Sequence, residues 1–434
     1  MEYIDIFDEN NNPTGEKKEK QQAHEEGNFH RTAHIWIIND KNELLLQKRS
    51  ASKKSHPNCW DISGAGHIKT GETVIDGVIR ELKEELGVEI AEKDLQYITT
   101  IKSTKNPKNM EFQYVYLLNC NKEIKEYIFE DGKVAEVKYV FYKDLEKMVE
   151  EKVEGLVRHE EEYKCLFKYI TYKNINDLID IHINGQLELY ESNIIEKDNY
   201  DILLSDLIDD QYWNFAYSKN ITDLNKVWKN IKCDMEKHNR QPVIYITSNV
   251  YNKELQEKIK ENNLKVLYTD VWMTIEDLNS FKEYKSKINF KISRVDENLK
   301  SKFIQAIMDG FAGDNPDEPY ESLSDGYRVA LEKSMEKSES KYKVINYVGL
   351  YNKDAISTAT VLYKDKKAII YNVTTNKNYQ KQGVCKQTMS EIINDLKKIK
   401  IETVCVLTEQ GFYTEQVYKN MGFKEVMLGK AYIE

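Results

Sequence analysis

One pattern limits this chain more than any other: Gly66, five residues, Glu72, seven residues, then Arg80-Glu81-Leu82-Lys83-Glu84-Glu85-Leu86-Gly87-Val88. Thr73–Leu86 places Val74, Val78, Leu82 and Leu86 at the spacing of a helix that buries one side. Glu81, Glu84 and Glu85 stand at i, i+3 and i+4 and share a helix face, with the apolar stripe expected opposite them. Three adjacent carboxylates repel one another unless a cation sits among them, and such hard oxygen donors select Mg²⁺ or Mn²⁺. Gly66 and Gly87 bracket the unit at turns. Acidic runs elsewhere, Glu150–Glu154 and Glu160–Glu162, read as solvated faces.

All nine constrained positions fit G-x5-E-x7-R-E-U-x-E-E-x-G-U, with U apolar, and so resemble the Nudix box. The resemblance implies a Nudix α/β/α sandwich that hydrolyses a diphosphate linkage of nucleoside-diphosphate type. It implies that Glu81, Glu84, Glu85 and the Gly66 carbonyl hold Mg²⁺ or Mn²⁺, and that one of the glutamates serves as base on the attacking water. Such a metal would polarise the phosphoryl group. Glu72 and Arg80 are expected as an orienting ion pair.

The flanks narrow the branch. His24, Phe29–Ala33, Gln47–Ser50, Pro57–Asp61 and Gly64-Ala65-Gly66-His67 resemble isopentenyl-diphosphate isomerases and their hydrolase relatives. That resemblance assigns His24, His30, His67 and Glu111 to a second metal or substrate-phosphate site. Taken singly, each histidine also reads as an ordinary surface or core residue. The isomerases carry a cysteine before the Gly-His pair and a degraded box, whereas this chain has Ala65 there and an intact box, so hydrolysis is expected. Lys48, Arg49, Lys53 and Lys54 read either as phosphate contacts or as a solvated loop.

A second constellation lies near the other end. A strand, Ala368–Thr374, leads to Gln380-Lys381-Gln382-Gly383-Val384-Cys385 and then a helix. Free N–H groups and a partial positive charge at a helix N-terminus suit a diphosphate. The segment resembles the Q/R-x-x-G-x-G/A loop of GNAT acyltransferases, with Cys385 where Gly or Ala is usual. Tyr418, ahead of Gly422-Phe423, resembles the tyrosine that protonates the leaving thiolate of coenzyme A in that family; it also reads as a core residue. Val373 and Thr374 match the strand that pairs with the pantetheine arm. The base for the amine is open between Glu409 and a water.

At 434 residues the chain exceeds one core. The expected domains are 1–170 (Nudix), 171–290 (linker or degenerate GNAT-like) and 291–434 (GNAT). The fold class is α/β and α+β multidomain, a Nudix sandwich followed by a GNAT-like mixed sheet with flanking helices. In the middle block Leu187–Tyr190 reads as a strand, Trp213, Trp228 and Trp272 as core, and Gly313–Pro319 further on as a loop. A net charge of −10 argues against general nucleic-acid binding. Without a basic-then-apolar start, a long apolar run or paired Cys-x-x-Cys, the reading is cytoplasmic, with free thiols and no membrane span. The expected function is bifunctional: diphosphate hydrolysis plus transfer of acetyl from acetyl-CoA to an amine. Two alternatives stand beside it. The GNAT part binds acyl-CoA or builds an oligomer without catalysis, or the Nudix part cleaves coenzyme A itself.

Overall fold

The computed structural model describes residues 2–129, 132–190, 192–219, 221, 223–311, 322–336 and 340–434; the expected loop 313–319 lies outside them. The chain divides into two compact units, Met1–Tyr172 and Lys173–Glu434.

In the first unit, β1 (Tyr3–Phe7) and β2 (Pro13–Glu19) form a ribbon that leads into the short α1 (Lys20–Glu25). The main sheet contains β3 (His30–Ile38), β4 (Glu43–Arg49), β5 (Trp60–Asp61), β6 (Gly64–His67), β7 (Leu95–Asn106), β8 (Asn109–Asn119) and β9 (Val134–Phe141). Between β6 and β7 runs α2 (Val74–Leu86); α3 (Tyr142–Glu150) follows β9. The helix α4 (Glu160–Leu189) crosses the unit boundary. Its Tyr163, Leu166 and Phe167 pack in the first unit, and Leu178, Ile181 and Leu189 pack in the second.

Although β3 and β4 follow one another in the chain, they are barely a hairpin. β3 and β4 share the single pair Ile38↔Leu44. Beyond it β3 turns to β6 and, in parallel, to β8, while β4 turns to β5 and β9. Strand β3 is buried along nearly its whole length. Ala33, Ile35 and Ile37 meet α2 on one side; Trp36 and Ile38 meet α3 and α4 on the other. This is the helix–sheet–helix layering of the first unit.

Helix α2 is bounded by local chemistry. Thr73 and Asp76 form a reciprocal capping box at its start, and Gly87 closes it at φ 62°. Its acidic and apolar residues are not on opposite faces. At 3.6 residues per turn Glu85 falls beside Val78, and Glu81 and Glu85 are buried with Val78, Leu82 and Leu86.

Glu162, expected to be solvated, is 2% exposed. Its Oε1 accepts from Trp36 Nε1 at 2.7 Å and its Oε2 pairs with His34 Nδ1 at 2.8 Å. Burial alone opposes a charged His34, but Glu162 beside it overrides this and raises the imidazole to about 9. Burial also works against the Glu162 charge, yet His34 holds that carboxyl below its ordinary value. A raised histidine stabilises the fold fully below its ordinary 6.5 and loses that contribution as pH rises through about 9. The melting temperature of the first unit is therefore expected to fall between pH 6.5 and 9. Glu162→Gln, which breaks a buried pair, is expected to cost about 3–5 kcal/mol at pH 6 and to flatten that slope. Thermal scans across the pH range read both effects; a variant as stable as the parent at pH 6 would refute the pairing.

The second unit is built on one eleven-stranded sheet. Its first half holds β10 (Ser192–Glu196), β11 (Tyr200–Ser205), β12 (Phe215–Ser218), α5 (Leu224–Lys237), β13 (Ile244–Thr247), α6 (Lys253–Glu261) and β14 (Lys265–Ile275). The other half holds β15 (Lys291–Arg294), α7 (Lys300–Gly310), α8 (Asp325–Ser334), β16 (Lys343–Tyr351), β17 (Asp354–Lys364), β18 (Lys367–Thr375), α9 (Val384–Lys398), β19 (Thr403–Glu409), α10 (Tyr413–Asn420) and β20 (Lys424–Ile433). The strand order is 10-11-12-13-20-14-19-18-17-16-15. Each half thus lends its last strand to the other: β14 lies against β19, and β20 against β13.

Leu187–Leu189, expected with Tyr190 as a strand, is instead the end of α4; Leu189 and the following Tyr190 are buried in the core of this unit. The short apolar run fits either period, and the helix preceding it carries the chain through. Trp228 and Trp272 are core, as read; Trp213 is half-buried, its ring 4.0 Å from that of Tyr190. Among the described residues no helix is long and apolar enough to cross a membrane.

Candidate functional site

In the first unit β6 runs beside α2, and the box residues meet there. A Cβ on Gly66 would lie 1.9 Å from the Glu81 carboxyl carbon. Only a glycine leaves that carboxylate room against the β6 backbone. Arg80 gathers the acids: its Nε and Nη2 donate to Glu72 at 2.7 and 3.0 Å, and its Nη1 reaches Glu81 at 2.5 Å and Glu84 at 3.5 Å. Its Nη2 also donates to the His67 carbonyl at 2.8 Å, which ties α2 to the end of β6. Glu84 is partly exposed, while Glu81 and Glu85 are buried.

Glu85 Oε2 accepts from Gln47 Nε2 at 3.1 Å and from the Ala65 N–H at 3.3 Å; Lys53 Nζ stands 4.0 Å from its Oε1. Burial, and then the neighbouring Glu81 carboxylate, push Glu85 up to about 7. Burial likewise raises Glu81, against the pull of Arg80. Two buried acids in one place, under-compensated by cations, form a donor set that fits a hard divalent ion. Arg49, one of the loop cations considered for phosphate, is otherwise engaged: its Nη1 pairs with Asp61 at 2.8 Å.

The histidines converge at the His67 end of β6. His24 lies on α1, His30 opens β3, His67 closes β6, and Glu111 faces His30 across the β3–β8 pairing. The nitrogen atoms of His24, His30 and His67 lie within 4.8 Å of one another. His24 Nε2 and His67 Nε2 are 3.1 Å apart. His30 Nε2 is buried without a hydrogen-bond partner, 3.7 Å from Glu111 Oε1. Burial drives the pKa of His67 well down, and that of His24 down, so both imidazoles are kept neutral with lone pairs available. Burial opposes the Glu111 charge, but the His30 contact and then the charged His34 hold that carboxyl at about 2. The orphaned buried Nε2 of His30, beside two imidazoles kept neutral by burial, suits a metal ion.

In the second unit the parallel pairing of β18 with β19 runs from Lys367↔Thr403 to Ile370↔Val406 and stops. Beyond it the strands part around a cavity of about 540 Å³. A register shift in β18 places Asn372 at φ 51°, and its side chain is pinned by Tyr190 and Thr360. Val373, Thr374, Gln380, Lys381, Gly383, Val384, Cys385 and Tyr418 all line the cavity; Gln382 of the same loop does not. Gly383 is the N-cap of α9 at φ 86°, without a capping side chain, so the first turn of α9 turns its N–H groups to the cavity rim. Burial pushes the Cys385 thiol up to about 11, which makes it an inert small side chain. Tyr418 is 7% exposed, its ring edge-on to Phe423 at 5.7 Å. Sequence reading missed Asn372, whose positive φ gives no one-residue signal.

A family model described as NUDIX domain matches residues 28–159, and one described as acetyltransferase (GNAT) domain matches residues 315–432. The chain is 37% identical over 161 residues to an uncharacterized Nudix hydrolase of Clostridium acetobutylicum, covering 36% of this chain and 77% of that one. It is 32% identical to Nudix hydrolase 3 of Arabidopsis thaliana, across 45% of this chain but only 27% of that longer protein. An isopentenyl-diphosphate Delta-isomerase of Salmonella heidelberg is 38% identical over 92 residues, 21% of this chain and 50% of that one. Among solved structures, a GCN5-related N-acetyltransferase from Kribbella flavida covers 59% of this chain and 94% of its own, at 12% identity and TM-score 0.44.

Proposed function

We propose, from the premise that this chain belongs to the Nudix hydrolase family and carries a GNAT domain near its C-terminal end, that it is a bifunctional enzyme. The first unit hydrolyses a nucleoside-diphosphate-type linkage with Mg²⁺ or Mn²⁺. The second transfers acetyl from acetyl-CoA to an amine. The observation that carries the first half is the gathering of acids along β6: Glu81 is buried against Gly66, Glu85 is buried and accepts from the Ala65 N–H, and Arg80 reaches both Glu81 and Glu84. Bound there, a divalent ion supplies positive charge to the diphosphate oxygens. Glu72 fixes Arg80, and Arg80 in turn orients Glu81 and the end of β6. One carboxylate of the set takes the proton of the attacking water. The His24–His30–His67–Glu111 cluster holds a second metal or the substrate phosphate. Ala65 in place of a cysteine favours hydrolysis over isomerisation.

In the second unit the α9 N-terminus at Gln380–Cys385 receives the diphosphate of acetyl-CoA, the parted strands at Val373 and Thr374 take the pantetheine arm, and Tyr418 protonates the departing thiolate. One experiment tests the first half. The full chain is incubated with Mg²⁺ or Mn²⁺ and a panel of nucleoside di- and triphosphates, nucleotide sugars, dinucleotides, coenzyme A and isopentenyl diphosphate, and product masses are read. Metal-dependent cleavage between the phosphates is expected. Isomerised isopentenyl diphosphate, or no cleavage with either metal, would defeat the reading.

A further inference from the structure

The histidine cluster shares its face of the sheet with a cavity of the first unit. Across β6, β3, β8 and β7, one row of paired residues runs His67, Thr32, Gln113, Ile101. The row before it runs His30, Glu111, Ser103 across β3, β8 and β7. Side chains paired across neighbouring strands point to the same side, as do residues two apart along a strand, so both rows stand on one face. Ile101, Ser103 and Gln113 line a cavity of about 200 Å³, closed on its other side by Arg158, His159 and Glu162. Thr32 is therefore one strand spacing, about 5 Å, from His67 in one direction and from Gln113 in the other.

Thr32 is 3% exposed, and its Oγ1 is buried with no hydrogen-bond partner among the described residues. The amide nitrogen of Gln113 donates to Glu111 Oε2 at 2.8 Å, which leaves its carbonyl oxygen to accept at the cavity wall. The opposite wall is held in place. His159 Nε2 pairs with Asp61 Oδ1 at 2.8 Å, and Glu162 is bound by His34 and Trp36. Buried polar atoms are normally paired, and an orphaned threonine hydroxyl gives the free protein nothing that a valine of similar shape would not. The orphaned hydroxyl and the unspent carbonyl stand side by side, between the histidines and the cavity. They are complementary to hydroxyl groups, which both donate and accept. An alkyl chain would leave both unmet.

We infer that Thr32 and Gln113 form a sugar subsite of the hydrolase: a substrate whose phosphate sits at the histidine cluster lays its hydroxylated carbons over Thr32 and into the cavity beside Gln113. This rests on the reading of the first unit as a diphosphate hydrolase. The two residues bind the sugar and take no part in the bond cleavage, so they set which diphosphates are accepted. The sugar is the ribose of a nucleotide or that of a bare sugar diphosphate, since both carry neighbouring hydroxyls close to a phosphate. An isoprenoid diphosphate carries none, and the subsite selects against it even though the flanks of the box resemble isopentenyl-diphosphate isomerases.

The test uses the full chain with Mg²⁺ or Mn²⁺. Its substrates are ADP, CDP, GDP and UDP, their 2′,3′-dideoxy forms, phosphoribosyl diphosphate and isopentenyl diphosphate. Product release gives kcat/KM. Calorimetry with the α,β-methylene analogue of the preferred nucleotide gives binding without turnover, and melting curves without ligand report the fold. The parent is expected to favour the hydroxylated compounds over the dideoxy forms and isopentenyl diphosphate by on the order of 10²-fold or more, since a site that pairs with substrate hydroxyls rejects analogues lacking them. Thr32→Val breaks no bond of the free protein and should melt no lower than the parent. It should nonetheless weaken the methylene analogue by about tenfold and shrink the preference for hydroxylated substrates by about as much. Ser103→Phe, which fills the cavity from its wall, should also weaken the analogue by about tenfold or more. Faster cleavage of phosphoribosyl diphosphate than of any nucleotide assigns the subsite to a bare sugar, and the reverse assigns it to a nucleotide. The inference is overturned if the hydroxyl-free compounds are cleaved as well as the hydroxylated ones, or if Thr32→Val keeps both the parental preference and the parental affinity. If none of these diphosphates is cleaved with either metal, the hydrolase reading fails first, and this inference with it.

Discussion

Replacing Glu85 by Gln is expected to abolish metal-dependent diphosphate cleavage and, in the same protein, to raise stability in the absence of divalent ions. A carboxylate that holds the metal contributes several kcal/mol of transition-state charge stabilisation, so its loss should slow turnover on the order of 10³-fold or more. The fold should survive, because the amide oxygen still accepts from Gln47 and from the Ala65 N–H. The stability gain follows from linkage. Folding raises this acid from 4.5 to about 7, so keeping it ionised destabilises the folded state progressively as pH rises through that interval. A neutral isostere escapes the penalty, a gain of roughly 2–3 kcal/mol at pH 8. Thermal melts at pH 8 with chelator should show the variant more stable than the parent. Added Mg²⁺ should stabilise the parent and leave the variant unmoved. Stability bought down at a site and recovered on mutation marks residues placed for function. Parental turnover in Glu85→Gln, and in Glu84→Gln, would remove these acids from the metal site.

What the sequence made legible follows from the range of the interactions involved. Helix α2 could be read because Thr73, the Val78–Leu82–Leu86 stripe and Gly87 are all local signals. The nearness of Glu81, Glu84 and Glu85 follows from helix geometry alone, whereas the packing of Glu81 against Gly66 needs β6 laid beside α2. Glu162 could not be read correctly. Its partners, Trp36 and His34, lie 126 and 128 residues away, and a glutamate run looks the same solvated or buried until they are in place. The exchange of β14 and β20 was equally hidden, since strand neighbours in a sheet are fixed by long-range register and not by the strand's own residues.

Tyr418→Phe is expected to slow acetyl transfer by about 10²–10⁴-fold while leaving acetyl-CoA affinity unchanged, the range for loss of a general acid. The two readouts separate because the groups are separate. The ring of Tyr418 packs edge-on against Phe423 within a buried core, and phenylalanine keeps that contact. The cofactor diphosphate is assigned to the turn at Gly383 and the first N–H groups of α9, on a different wall of the cavity. Gly383→Val supplies the converse. At φ 86° a branched side chain is strained, and its Cβ would stand 3.2 Å from the Ser286 backbone, so the loop must shift and acetyl-CoA affinity should fall. Calorimetry on both variants, with coenzyme A release at saturating amine, distinguishes an acid from a packing residue. If Tyr418→Phe weakens acetyl-CoA binding as much as it slows transfer, the tyrosine shapes the cavity; if transfer is unchanged, the thiolate takes its proton from elsewhere. Rate loss with affinity retained is the outcome expected of a tyrosine that lines the cavity and supplies the proton.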